Sequence, residues 1–296
     1  MVIDCHAHAF PEEAVANPQK WALEKGEKHW SELVLPSGSK PSLQCWRGKT
    51  DFYRETEKDG IEYTILLGWY WENPDTCSLH NDEMAGWLRQ FPSKFSALAS
   101  VHPGGPPPGE VVAKAVEQGF SGFGEIHPTV QHSSILDPFW QELAERSAQQ
   151  NLAFNFHVSE LVGRTHGGRL ETPFQEIQRF ISDHPELTVI LSHWGGGLLF
   201  YELNPFVRKE FANVFYDSAA SPLLYDPKIF ELACQMVGAE KILFGSDYPL
   251  RLYPASEKGP GRARFLSEIS QSGLSGKQLD AILHRNASRL FDITEV

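Results

Sequence analysis

Val2-Ile3-Asp4-Cys5-His6-Ala7-His8 opens the chain as a short apolar run that leads straight into two histidines. A strand sends successive side chains to opposite faces, so His6 and His8 project one way and Cys5 and Ala7 the other. An open, doubly wound sheet usually carries a glycine-rich phosphate turn after its first strand, and histidines stand there instead. Working outward, seven more β-rich runs follow at 63–68, 95–101, 122–127, 152–157, 188–193, 214–218 and 242–247. Helix-period segments lie between them, at 81–90, 109–118, 138–150, 173–184 and 227–237. Eight strands alternating with helices predict an α/β chain closed into a (β/α)8 TIM barrel.

A chain of 296 residues suits one such barrel, and no linker divides it, so residues 1–296 read as a single domain. The stretch 9–49, with Trp21, Trp30 and Trp46, is long for a strand-to-helix connection and reads as a lid or cap inserted after the first strand. The tail 277–293 reads as a closing amphipathic helix, with Leu279, Ile282, Leu283, Leu290 and Phe291 on its apolar side. A net charge of −12 without a basic run argues against nucleic acid as a partner. No stretch approaches the roughly 20 apolar residues that span a bilayer, so no membrane partner is expected. Cys5, Cys45, Cys77 and Cys234 form no C-x-x-C pair, and no secretory signal precedes the first strand. The expected setting is cytoplasmic, with a small molecule as the partner.

The chemistry sits at strand ends. His157 closes the fifth run, His193 the sixth and Asp247 the eighth, joining His6 and His8 of the first. Barrels of this type assemble their active sites from the C-terminal ends of their strands. An H-x-H pair alone is weak, and any one histidine is more often structural than a ligand. Four strand ends bearing imidazole or carboxylate make independent accidents a poor account. Imidazole and carboxylate donors without cysteine suit a divalent cation, Zn2+ first, with Mn2+ or Fe2+ as alternatives.

The sequence resembles the amidohydrolase superfamily, and within it the amidohydrolase-related group that includes aminocarboxymuconate-semialdehyde decarboxylase. The matching pieces are DCHAH at 4–8, ND-x-x-A at 81–85, the run at 92–103 ending V-H-P, LSHWGGG at 191–197, FGSDYP at 244–249 and NASRLF at 286–291. The resemblance implies His6, His8 and His157 as metal ligands. It gives Asp247 the role of ligand or holder of a metal-bound water, and His193 that of acid/base beside one ion or ligand of a second. Glu125, in GFGEIH, matches the fourth-strand carboxylate that bridges two ions in several binuclear hydrolases. A Glu hydrogen-bonded to a loop or to a ligand histidine is the alternative at that position. One ion or two therefore stay open, and a homodimer fits this kind of barrel.

Substrate-binding candidates lie on the loops beyond the strands. Trp69 and Trp71 follow the second strand with Tyr70 between them, His127 shares the face of Glu125, and Trp194 follows His193. Arg47, Arg164, Arg169 and Arg251 are loop residues able to clamp a carboxylate, although a loop arginine is more often solvated. Asp217 ends the seventh run, placed to hold a ligand imidazole. The leading expectation is hydrolysis of an amide, ester, lactone or related bond by a metal-activated water, with His193 and Asp247 catalytic. The alternative is non-oxidative decarboxylation of an unsaturated or aromatic carboxylic acid at the same site. Overall resemblance favours decarboxylation, and Glu125 leans toward hydrolysis. A non-catalytic barrel is disfavoured by the intact ligand set.

Overall fold

Eight parallel strands pair in the order of the chain: β1 (Ile3–His8), β2 (Tyr63–Leu67), β3 (Phe95–Ala99), β4 (Gly122–Ile126), β5 (Ala153–Phe156), β6 (Val189–Leu191), β7 (Val214–Asp217) and β8 (Ile242–Leu243). The computed structural model describes residues 1–36, 38, 41–163 and 169–293. All eight expected strands are present and alternate with helices, which makes the fold a (β/α)8 TIM barrel. β8 is only two residues long, and the segment after it completes the barrel. There Cys5 N–H donates to Phe244 O at 2.8 Å, Asp247 N–H to His6 O at 2.8 Å, and His8 N–H to Tyr248 O at 2.6 Å.

Side chains from six strands fill the barrel: Ile3, Cys5, Ile65, Leu67, Leu98, Ala153, Ile190 and Leu243. Leu290 and Phe291, from the last turns of the chain, pack against this set. Alternate strand residues such as Leu66, Ala97, Phe123, Phe154 and Val189 join the larger layer between strands and helices. β1 breaks this alternation. Asp4 pairs with Thr64 and Ala7 with Leu66, so three steps on β1 match two on β2, which is a β-bulge. Ile3 and Cys5 point into the barrel before the bulge and Ala7 packs outside it. His6 and His8 are thereby directed to the mouth although their parity differs from that of Cys5.

The insertion is helical rather than open loop. α1 (Glu12–Ala16), α2 (Pro18–Lys25) and α3 (Lys28–Val34) carry Trp21 and Trp30 onto Phe10 and Trp71. Asn17 caps α2, and Gly26 ends it at φ 74. Buried Glu27 accepts from Glu72 N–H at 2.8 Å, and Asn73 donates to Lys25 O at 2.9 Å, fastening this cap to the segment after β2. No helix among the described residues is long and apolar enough to cross a membrane.

After β6 the backbone turns through five successive left-handed residues, from His193 (φ 57) to Gly197 (φ 100). Gly196 explains why glycine is used there. A Cβ on it would lie 2.4 Å from Ser159 O, at φ 58. Gly196→Ala is expected to cost about 1–3 kcal/mol through clash and strain. Thermal or urea unfolding would check this, and wild-type stability in the variant would contradict it.

Candidate metal centre

His6 and His8 face each other across the mouth, with their Nε2 atoms 3.2 Å apart. His6 is oriented from behind: its Nδ1–H donates to Asp217 Oδ2 at 2.9 Å, leaving the Nε2 lone pair free. Asp217 is completely buried and braced in turn, since its Oδ1 accepts the backbone N–H of His193 and of Ala219, each at 3.0 Å. Asn155 adds a contact to Oδ2 at 3.4 Å and accepts Ser192 Oγ at 3.0 Å.

Two carboxylates complete the centre. Asp247 Oδ1 is 3.4 Å from His8 Nε2 and 3.8 Å from His6 Nε2. Glu125 Oε1 lies 3.6 Å from His6 Nε2, and its Oε2 lies 3.7 Å from His8 Nε2. Ligand atoms held tetrahedrally about 2.1 Å from a cation stand about 3.4 Å apart. The separations among His6, His8 and Asp247, 3.2 to 3.8 Å, bracket that value, so these three donors fit a divalent cation, with Glu125 beside both imidazoles. Two overlapping ligand groups satisfy a common-centre requirement, His6–His8–Asp247 and His6–Glu125–His193.

Glu125 therefore points into the centre. Its Oε1 also lies 3.1 Å from His157 Nδ1 and 3.6 Å from His193 Nε2. The structure thus places His157 on the Glu125 and His193 side, 4.9 Å ring to ring from His193, and outside the His6–His8–Asp247 group. His193 donates from Nδ1 to Ala219 O at 3.0 Å, which turns its Nε2 toward Glu125.

Charges at the centre are mutually dependent. Burial opposes ionisation of Glu125, Asp217 and Asp247, but the neighbouring imidazoles outweigh it and hold all three carboxyls below their usual range. Burial likewise works against charge on His6, yet Asp217, Glu125 and Asp247 raise it to about 10. For His193, Glu125 and Asp247 overcome burial and raise it to about 9. Buried Glu125 and Asp217 and part-buried Asp247, around shared imidazoles, make a site that binds positive charge, as a proton or as a metal ion.

Among the other expected site residues, Trp69 meets the centre edge-on, with its ring 5.0 Å from that of His8. Phe10, which the sequence did not single out, stacks on His8 at 5.7 Å. Trp71 does not line the mouth. It is fully buried, with its indole N–H on His80 Nδ1 at 3.0 Å and its ring among the cap tryptophans. Trp194 is also fully buried, donating to Ser221 Oγ at 3.0 Å and packing on Phe230. Each ring is packed among protein side chains. Arg47 is held by Glu55, 2.8 Å from Nε to Oε1, and is not a free clamp. Arg169 and Arg251 donate to backbone carbonyls, and Arg164 lies outside the described residues.

His127 is 2% exposed, with both ring nitrogens unpartnered. Burial holds it neutral, lowering it to about 3, and lowers His29 of α3 to about 4. His29 was missed in the sequence, since a lone histidine in an insertion carries no spacing signal.

The family model described as "Amidohydrolase" matches residues 3–293. Among similar solved structures is 5-carboxyvanillate decarboxylase LigW from Sphingomonas paucimobilis, with a TM-score of 0.75 and 16% identity over 99% of each chain. A second is the Novosphingobium aromaticivorans 5-carboxyvanillate decarboxylase with manganese and 4-hydroxy-3-methoxy-5-nitrobenzoic acid. Its TM-score is 0.73, with 16% identity over 99% of this chain and 96% of that one. A third is a dihydroxybenzoic acid decarboxylase from Polaromonas sp. JS666, with manganese and the inhibitor 2-nitroresorcinol. Its TM-score is 0.69, with 17% identity over 100% of this chain and 98% of that one. The expectation of amide, ester or lactone hydrolysis is corrected by these comparisons, because the relatives of stated activity are decarboxylases of aromatic acids.

Proposed function

Because the chain belongs to the amidohydrolase family, we propose that it is a metal-dependent carboxy-lyase that releases CO2, without oxidation, from an unsaturated or aromatic carboxylic acid. The observation that carries this reading is His193, whose Nδ1 is committed to Ala219 O while Nε2 faces the ligand cluster. Decarboxylation requires an acid that delivers a proton to carbon, and an imidazole among carboxylates is suited to hold that proton.

His6, His8, Asp247 and Glu125 would hold the cation, with His157 beside Glu125. Zn2+ or Mn2+ suits these donors, and manganese accompanies two of the similar decarboxylases. When bound, such an ion supplies a Lewis acid that orients and polarises the oxygen donors of the substrate. His193 then transfers its Nε2 proton to the carbon bearing the carboxylate. The C–C bond to the carboxylate breaks, its electron pair stays on the newly protonated carbon framework, and CO2 departs. His193 regains its proton from water. Trp69 and Phe10, packed against His8, limit water at the reacting carbon. The segment 9–49 acts as the cap over this mouth.

Metal-loaded protein is expected to release CO2 from a member of a panel of aromatic and unsaturated acids, with one deuteron entering the product carbon in D2O. CO2 release absent across the panel, alongside turnover of amide or ester substrates, would end this reading. Chelation should remove activity, and Mn2+ or Zn2+ should restore it. A cation present at 100 times its Kd should also stabilise the fold by about 2.7 kcal/mol. An unchanged melting temperature on metal addition would count against the centre.

A further inference from the structure

Beside the ligand cluster, three polar side chains end in atoms that nothing among the described residues satisfies. Tyr70 Oη and both ring nitrogens of His127 and of His29 are buried without a hydrogen-bond partner. Tyr70 is 1% exposed and its ring lies 5.6 Å from His127 and 5.6 Å from His29. Rings of Tyr70 and His127 stand 5.4 and 5.8 Å from that of His157, so the trio borders the metal centre. Each comes from a different part of the mouth. Tyr70 follows β2, His127 follows β4, and His29 descends from α3, held by its backbone N–H on Glu72 Oε2 at 2.7 Å.

A buried polar group without a partner costs about 1–3 kcal/mol, and folded proteins seldom keep several together. Three in a row, with the Tyr70 ring 5.6 Å from each histidine ring and next to the proposed centre, point to a ligand that supplies the missing bonds. We propose that Tyr70, His127 and His29 form a hydrogen-bonding subsite for an oxygen substituent, a phenolic hydroxyl, on the substrate acid. The inference rests on the carboxy-lyase reading for the carboxylate that the rest of the mouth receives. A tyrosine hydroxyl and a neutral imidazole each both donate and accept, which complements a hydroxyl.

The test is calorimetric binding of benzoate, 2-, 3- and 4-hydroxybenzoate and isophthalate to the Mn2+-loaded protein. At least one hydroxybenzoate is expected to bind about tenfold tighter than benzoate, a gain of about 1.4 kcal/mol. That ratio should fall to about twofold or less in Tyr70→Phe and in His29→Leu. Tyr70→Phe should fold at least as stably as the parent, since it removes only an unsatisfied hydroxyl. A ratio near one in the parent, absence of binding of every probe, a ratio retained in both variants, or a preference for isophthalate would each overturn the subsite. Because binding is read without turnover, the two proposals separate. A trio-dependent ratio without CO2 release ends the carboxy-lyase reading and leaves the subsite, and CO2 release with a ratio near one does the reverse.

Discussion

Asp247→Asn is expected to lower kcat at saturating metal by about 1,000-fold or more, about 4 kcal/mol of transition-state stabilisation, while leaving the fold intact. Asp247 Oδ1 stands within 3.8 Å of both first-strand imidazoles, so the substitution replaces an anionic donor at the centre by a neutral amide. The fold should survive for a specific reason. Asp247 has φ 67, a left-handed conformation that asparagine tolerates nearly as well as glycine. Its backbone N–H would keep its bond to His6 O. Measurement of CO2 release, circular dichroism and metal content would separate the effects. Activity within tenfold of the parent would refute the assignment.

The second large effect concerns stability. Arg262 is fully buried, with Nη1 3.4 Å from Asp4 Oδ2 and Nε 3.1 Å from Asp59 Oδ2, and its guanidinium lies 4.2 Å over the Tyr248 ring. Asp4 in turn accepts Ser246 N–H at 2.9 Å and Ser246 Oγ at 2.5 Å. This links the start of β1 to the residue before Asp247. Arg262→Met would leave the completely buried Asp4 without its compensating cation, and a loss of about 3–5 kcal/mol is expected. Adding Asp4→Asn should recover part of that loss, because the double variant no longer buries an unpaired charge. Chemical denaturation of the parent, both single variants and the double variant would decide. A loss under about 1 kcal/mol in Arg262→Met would contradict the account.

Much of the barrel was legible because its information is local. Runs such as Phe95–Ala99 and Val189–Leu191 are apolar, bounded by turns and separated by helix-period segments, so each could be recognised alone. His6, His8, Glu125, His193 and Asp247 lie at or just beyond strand ends, where fold class and chemistry coincide. The cap was harder. Its short helices hold together through tertiary contacts of Trp21 and Trp30 with Trp71, which no periodicity within 9–49 encodes. The same contacts hold Trp71 within the cap cluster. Trp194 follows β6 in a left-handed conformation, φ 60, so the alternation of the strand does not tell which way its ring points. Arg262 and His29 gave no sequence signal, since the groups facing them, Asp4 and Tyr70, are distant in the chain.

The bulge on β1 makes strand register, as well as residue identity, a determinant of the chemistry. If β1 ran as a regular strand through Asp4–Ala7 with every residue kept, alternation from the inward Ile3 and Cys5 would send both imidazoles onto the helix-facing layer. The irregularity is what lets Ile3 and Cys5 fill the barrel while His6 and His8, of opposite parity, still reach the mouth. Any transplant of this motif to another barrel must therefore carry the irregularity along with the histidines.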